Sequence, residues 1–234
     1  MNELAALFMR PESELLTGIR RVAEAEGVPI LRRDSASLLS VLTQLKKPGK
    51  ILEAGTAVGY SALLMSEAAP DAFIETVEID PDTALRAREN IERAGKSGSI
   101  RVILGDASEV FPSLSGSYDM IFLDSAKGQY IRLLPDVIRL LGRGGLLVAD
   151  NCIFYGKVEE EPSQAPHKHR TIVANMRAFL SEISSDPRFC HTLLETGDGM
   201  LVAVFSGDTP SGSETACGER ETDTTGGEPR EDKK

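Results

Sequence analysis

At 234 residues, 41% hydrophobic and 26% charged, the chain has the size and composition of a large globular domain, and wholesale disorder is excluded. Its net charge of −10 weighs against a nonspecific nucleic-acid binder, and no apolar stretch approaches the ~20 residues of a membrane span. Three cysteines (Cys152, Cys190, Cys217) have neither disulfide nor zinc spacing, and the opening MNELAALFMRPESELL is too acidic for a signal peptide, so a cytoplasmic protein is expected.

The first 47 residues read as helical. Leu15, Leu16, Ile19, Val22 and Ala23 recur at helical spacing until Gly27. Asp34 reads as the N-cap of a second helix burying Leu38, Leu39, Val41, Leu42 and Leu45, which Pro48-Gly49 breaks. Short apolar runs then alternate with amphipathic stretches. Strands are predicted at 51–54, 73–79, 100–104, 120–124 and 146–150, and helices at 60–68, 82–94, 107–111 and 130–141. A helix over 169–183 precedes CHTLLET, the turn Gly197-Asp198-Gly199 and MLVAVF, an antiparallel hairpin. The alternation predicts a doubly wound α/β sheet with helices on both faces. Closed by a hairpin, this is similar to the class I methyltransferase architecture, which implies seven strands in the order 3-2-1-4-5-7-6 with the last antiparallel. From Ser206 to Lys234 the chain is rich in Gly, Ser, Thr and Pro and carries −4 of the net charge. That composition predicts a disordered acidic tail over 206–234, after a single domain (1–205) made of the helical segment 1–47 and a Rossmann-like core 48–205.

The polar residues fall at strand ends. The first strand runs into EAGTAVGYS, where Gly55 and Gly59 bracket a turn that brings a ligand to bare backbone or is merely structural. Glu78 ends the second strand, where an acid accepts the ribose hydroxyls of NAD or S-adenosylmethionine alike. Asp106 follows the third, to meet an adenine amino group or to cap a helix. Asp124 ends the fourth strand and Asp150-Asn151 the fifth. Neighbouring strands are about 5 Å apart, so these oxygens converge on one site suited to Mg²⁺. Lys127 at the same rim either handles a proton or is a solvated lysine.

EAGTAVGYS, VEID, GDA, LDSAKGQY and ADNCIFYGKV together resemble the metal-dependent O-methyltransferases of the catechol and caffeoyl-CoA type, over about Leu15 to Phe205. The resemblance implies S-adenosylmethionine bound by Ile30, Glu53, Gly55, Gly59, Ser61, Glu78, Asp106, Ala107 and Asp124. It implies Mg²⁺ held by Asp124, Asp150 and Asn151, with Lys127 and Asp124 catalytic and the chain a homodimer. Val28 to Ile30 looks like the family's segment ahead of the cofactor domain. KGQY, CIFYGKV and HKHR (His167 to Arg170) look closest to a bacterial branch that methylates 5-hydroxyuridine at the tRNA wobble position.

The expected function is therefore Mg²⁺-dependent O-methylation, with the tRNA anticodon loop as acceptor or, alternatively, a small phenol such as a catechol or hydroxycinnamoyl thioester. Lys157, Lys168, Arg170 and Arg177, with Arg20, Arg21, Arg32 and Arg33, would rim the site against phosphates or be solvated faces. Tyr130, Phe154 and Tyr155 would stack a splayed base or lie in the core. His167 and His169 read as surface residues rather than metal ligands. An NAD(P)-binding oxidoreductase shares the early strands but leaves the Asp-Asn pair unexplained. A non-catalytic RNA-binding module would bind tRNA without consuming S-adenosylmethionine.

Overall fold

The computed structural model describes residues 7–9, 11–154, 156–158, 162–163 and 165–207. The expected tail beyond 207 and Tyr155 lie outside the described residues.

Two helices lead. In α1 (Glu14–Glu26), the Ser13 hydroxyl accepts from Leu16 N–H at 3.2 Å, and Gly27 ends the helix at φ 70°, a conformation that costs glycine little. α2 (Arg33–Lys46) is N-capped by Arg32, not by Asp34. Asp34 instead lies in the first turn, where Oδ2 accepts from Gly197 N–H at 3.1 Å, so a tertiary contact took the carboxylate that the sequence offered as a cap. The buried face of α2 is also rotated from expectation. Ser35, Ala36, Leu39, Ser40 and Thr43 are buried, whereas Leu45 is 75% and Val41 47% exposed.

The core then alternates β1 (Lys50–Ala54), α3 (Tyr60–Ala68), β2 (Phe73–Glu78), α4 (Pro81–Arg93), β3 (Ile100–Leu104), α5 (Ala107–Ser113), β4 (Tyr118–Leu123), α6 (Tyr130–Leu140) and β5 (Leu141–Ala149). It closes with α7 (Arg170–Ser185), β6 (Phe189–Leu194) and β7 (Met200–Phe205). The seven strands form one sheet in the order β3-β2-β1-β4-β5-β7-β6, parallel except for β7 against its two neighbours. This is the predicted topology.

Period-two alternation sends Leu52, Ala54, Ile121, Leu123, Leu147 and Ala149 to the core under α5, α6 and α7. Ile51, Met120, Phe122, Leu146 and Val148 face the core under α1 to α4. β5 begins at Leu141 with no loop after α6, five residues earlier than its apolar run suggests, because Tyr118 pairs with Leu141 before the register shifts. Among the described residues, no helix is long and apolar enough to cross a membrane.

Candidate active site

Strand register assembles the site. Ala54 pairs with both Val77 and Leu123, Leu123 with Ala149, and Glu78 with Leu104. The residues just beyond these pairs therefore emerge at one rim, the carboxyl end of a parallel sheet where α/β folds bind ligands. Here they line one cavity of about 690 Å³. Its wall includes the strap from Gly27 to Arg32, Gly55, Ser61, Glu78, Asp106, Ala107, Asp124, Lys127, Asp150 and Asn151.

Gly55 is required at its position. At φ 98°, a Cβ would lie 2.3 Å from the Asp124 carbonyl oxygen. Ala57 stands at φ 45° in the same turn, and its N–H donates to Glu78 Oε2 at 2.9 Å. Glu78 Oε1 accepts from Asp80 N–H at 3.0 Å, so this carboxylate ties the glycine turn to the end of β2 while still bordering the cavity. Asp106 is the helix cap that one of its two readings expected, and it also borders the cavity. Oδ1 caps α5 by accepting from Ser108 N–H at 2.8 Å, and Oδ2 accepts from the Gln129 amide at 3.3 Å. The Ser108 bonds hold its carboxyl below the usual range.

Two expected cofactor residues do not reach the wall. Gly59 (φ 82°) makes the turn into α3, where a Cβ would meet Ala87 of α4 at 3.4–3.5 Å. Glu53 lies beneath the cavity, fully buried on the face that packs against α3. Thr76 Oγ1 donates to its Oε2 at 2.5 Å, but Oε1 has no hydrogen-bond partner. Burial, opposed by bonds from Ser61 and Thr76, pushes the Glu53 carboxyl up to about 7.

At the other end, Lys127 Nζ donates to Asp124 Oδ1 at 2.8 Å. Burial pushes Asp150 up to about 6, with Asp124 adding to the effect, and burial raises Asp124 as well despite Lys127. Asn151 adopts φ 57°, a left-handed conformation that asparagine tolerates. Two carboxylates and an amide carbonyl are hard oxygen donors that fit Mg²⁺. Among the described residues, no group of three or more His, Cys, Asp or Glu side chains forms an alternative metal site.

Sequence reasoning missed the groups that hold these ligands. Tyr130 is buried, and its hydroxyl lies 3.0 Å from the Leu123 carbonyl and 3.2 Å from that of Asp150, bridging the two strand ends. It belongs to the core and cannot stack a base. Ser35 Oγ donates to Asp150 Oδ1 at 3.4 Å. The turn glycines read as hairpin signals also support the site: Cys152 N–H donates to Gly199 O at 2.8 Å and Ile153 N–H to Asp198 O at 2.9 Å.

Three of the eight residues expected at a basic rim bond within the fold. Arg20 is buried beside Glu12. Arg170 donates to the carbonyls of Ala165 and Ser163, and Arg177 to that of Val158. Phe154 packs against the core and, edge-on at 5.3 Å, against His169.

The sequence profile of a family described as O-methyltransferase matches residues 8–204. The chain belongs to the O-methyltransferase family. It is 34% identical over 205 residues to a catechol O-methyltransferase of Niastella koreensis, covering 82% of this chain and 90% of the relative. A caffeoyl-CoA O-methyltransferase of Stellaria longipes is 29% identical over 198 residues, covering 81% and 82%. Among solved structures, the O-methyltransferase TomG of Streptomyces achromogenes, in complex with SAM, superposes with a TM-score of 0.77 at 24% identity over 87% of this chain and 94% of its own. That last likeness bears on the fold.

Proposed function

We propose that this O-methyltransferase moves the methyl group of S-adenosylmethionine to a hydroxyl oxygen of a small phenol carrying two vicinal oxygens, with Mg²⁺ held by Asp124, Asp150 and Asn151. One observation carries the reading: a single cavity is lined both by the nucleoside-type residues Gly55, Glu78 and Asp106 and by the hard-oxygen set. When bound, the metal supplies Lewis-acid polarisation and orientation of two acceptor oxygens.

The chain's own residues do the rest. Glu78 and Asp106 hold the nucleoside, Gly55 lets it approach the backbone, and Ser61 borders its amino-acid end. Lys127, beside Asp124, is the group to take or hold the acceptor's proton. Positioning then contributes most of the acceleration.

Engagement of Arg20, Arg170 and Arg177 inside the fold supports a small acceptor over a tRNA. Arg32, which lines the cavity with a side chain 63% exposed, and exposed Lys168 are what favour the anticodon loop as the second reading. A homodimer belongs to the same proposal, supported by the outward apolar residues Val41 and Leu45 of α2.

The test is incubation with S-adenosylmethionine and Mg²⁺, offering catechol in one arm and tRNA lacking the wobble modification in another, read by mass spectrometry. Catechol should gain one methyl, EDTA should abolish the transfer, and Mg²⁺ or Mn²⁺ should restore it. Methylated tRNA with untouched catechol would move the acceptor to the wobble base. Full turnover in EDTA would remove the metal from the reaction.

A further inference from the structure

A buried ion pair away from the reacting groups joins two parts of the cavity wall. Arg20, midway along α1, is 3% exposed, and both edges of its guanidinium are engaged. Nε donates to Glu12 Oε1 at 2.8 Å, Nη1 to the Leu31 carbonyl at 2.8 Å and Nη2 to Tyr60 Oη at 2.6 Å. The Tyr60 hydroxyl donates in turn to Glu12 Oε1 at 2.8 Å, and the guanidinium carbon lies 4.6 Å from the Tyr60 ring centroid.

Buried ion pairs contribute little stability over apolar packing, so the significance of this one lies in what it connects. Leu31 belongs to the strap over residues 27–32, which lines the cavity. The strap is anchored at its start by Val28 N–H to Ala23 O at 2.9 Å, and at its end by Ala36 N–H to Arg32 O at 2.8 Å. Between these anchors, Arg20 bonds the strap backbone from beneath. Tyr60, its other partner, opens α3 directly after the glycine turn and lines the same cavity.

We propose that Glu12, Arg20 and Tyr60 form a clamp that holds the strap closed against the cofactor turn, making Arg20 a positioning residue that sets cofactor affinity without touching the cofactor. The occupant rests on the reading of this cavity as the S-adenosylmethionine site; the clamp itself does not.

Three variants of the full chain test it. Arg20→Lys keeps a cation for Glu12 but lacks the planar fork that spans Leu31 and Tyr60 together. Tyr60→Phe keeps the Arg–Glu pair and removes one link. Glu12→Gln with Arg20→Met removes the clamp without stranding a buried charge, so the fold survives if either single variant fails.

In the ligand-free proteins, amide hydrogen exchange at residues 28, 30 and 31 should quicken while exchange in β1 and β4 stays slow. If the closed fraction drops to a tenth, the dissociation constant of S-adenosylmethionine, read by calorimetry, rises about tenfold. In Arg20→Lys, kcat at saturating cofactor should stay within about twofold, since uniform binding is what has been lost. Unchanged strap exchange overturns the clamp. So does quickened exchange with an unchanged dissociation constant, or a fall in melting temperature with neither change. Wild-type protein that fails to bind S-adenosylmethionine would overturn the cofactor reading, and the exchange comparison would still decide the clamp.

Discussion

Glu53 and Glu75 show how differently two neighbouring buried acids are satisfied. Both are buried acids on adjacent strands. Glu75 accepts from the Tyr118 hydroxyl at 2.7 Å and pairs with Lys50 at 3.0 Å; these partners outweigh its burial and hold it below the usual carboxylate range. Glu53 has no hydrogen-bond partner for one of its oxygens, and burial pushes its carboxyl up to about 7. Glu78 bonds the glycine turn and also borders the cavity. Glu78→Ala should weaken S-adenosylmethionine binding by roughly 1.5–3 kcal/mol for a lost charge-assisted bond, and calorimetry reads it. Because Ala57 N–H also loses its acceptor, the variant should melt at a lower temperature than wild type, contrary to a role confined to the cofactor. Tyr130→Phe removes the hydroxyl bridging Leu123 and Asp150 and should cost about 1 kcal/mol of stability in a urea titration. A larger effect is expected on Mn²⁺ affinity, since the strand ends it joins carry Asp124 and Asp150.

Among the elements, the β6–β7 hairpin and α2 buttress the loop after β5. Gly199 has φ 87°, and a Cβ there would lie 2.3 Å from Ile153 Cγ1. Gly199→Ala should therefore destabilise by about 1–3 kcal/mol, from overpacking and a backbone conformation alanine resists. Because Ile153 is two residues from Asn151, divalent-ion affinity should fall with stability. A titration showing metal affinity intact in a destabilised variant would separate the hairpin from the site. The sequence marked these glycines as turn formers, which they are; that the turn packs on the loop carrying Asn151 is visible only once β7 pairs with β5.

The whole molecule exposes its site at the carboxyl edge of the sheet, and pH should report on it. A carboxyl whose folded pKa is raised binds more protons in the folded than in the unfolded state, so its contribution to stability is present at low pH and is lost as pH rises. For Glu53 the window runs from 4.5 to about 7, an effect on the order of 3 kcal/mol. Asp150, pushed to about 6, acts in the same direction over a narrower range. Ligand-free protein should thus lose stability between pH 4.5 and 7, and Glu53→Gln should flatten that loss in calorimetric melts. A wild-type curve that falls across this window no more steeply than that of Glu53→Gln would remove Glu53 as the source of the loss. Glu12, Asp106 and Asp186, all held low, contribute the opposite slope at more acidic pH in both proteins.

The strands and the rim of acids were legible in the sequence because period-two alternation and strand-end polarity are local patterns, whereas the strand order and the family came from the resemblance carried by its motifs. Asp34 as a cap and the buried face of α2 were misread for a complementary reason. Local propensity offers the Asp34 carboxylate to its own helix, but Gly197, distant in sequence, claims it. Apolar spacing along α2 likewise finds a hydrophobic stripe without saying which side meets the sheet; Ser35 and Thr43 face inward, where Asp150 accepts from the first and Leu39 O and the Met120 sulfur from the second. The Arg20 clamp and the Tyr130 bridge have no local signal at all. Each depends on a hydrogen bond to a backbone carbonyl, and every residue has one; only the packed chain decides which carbonyl is within reach.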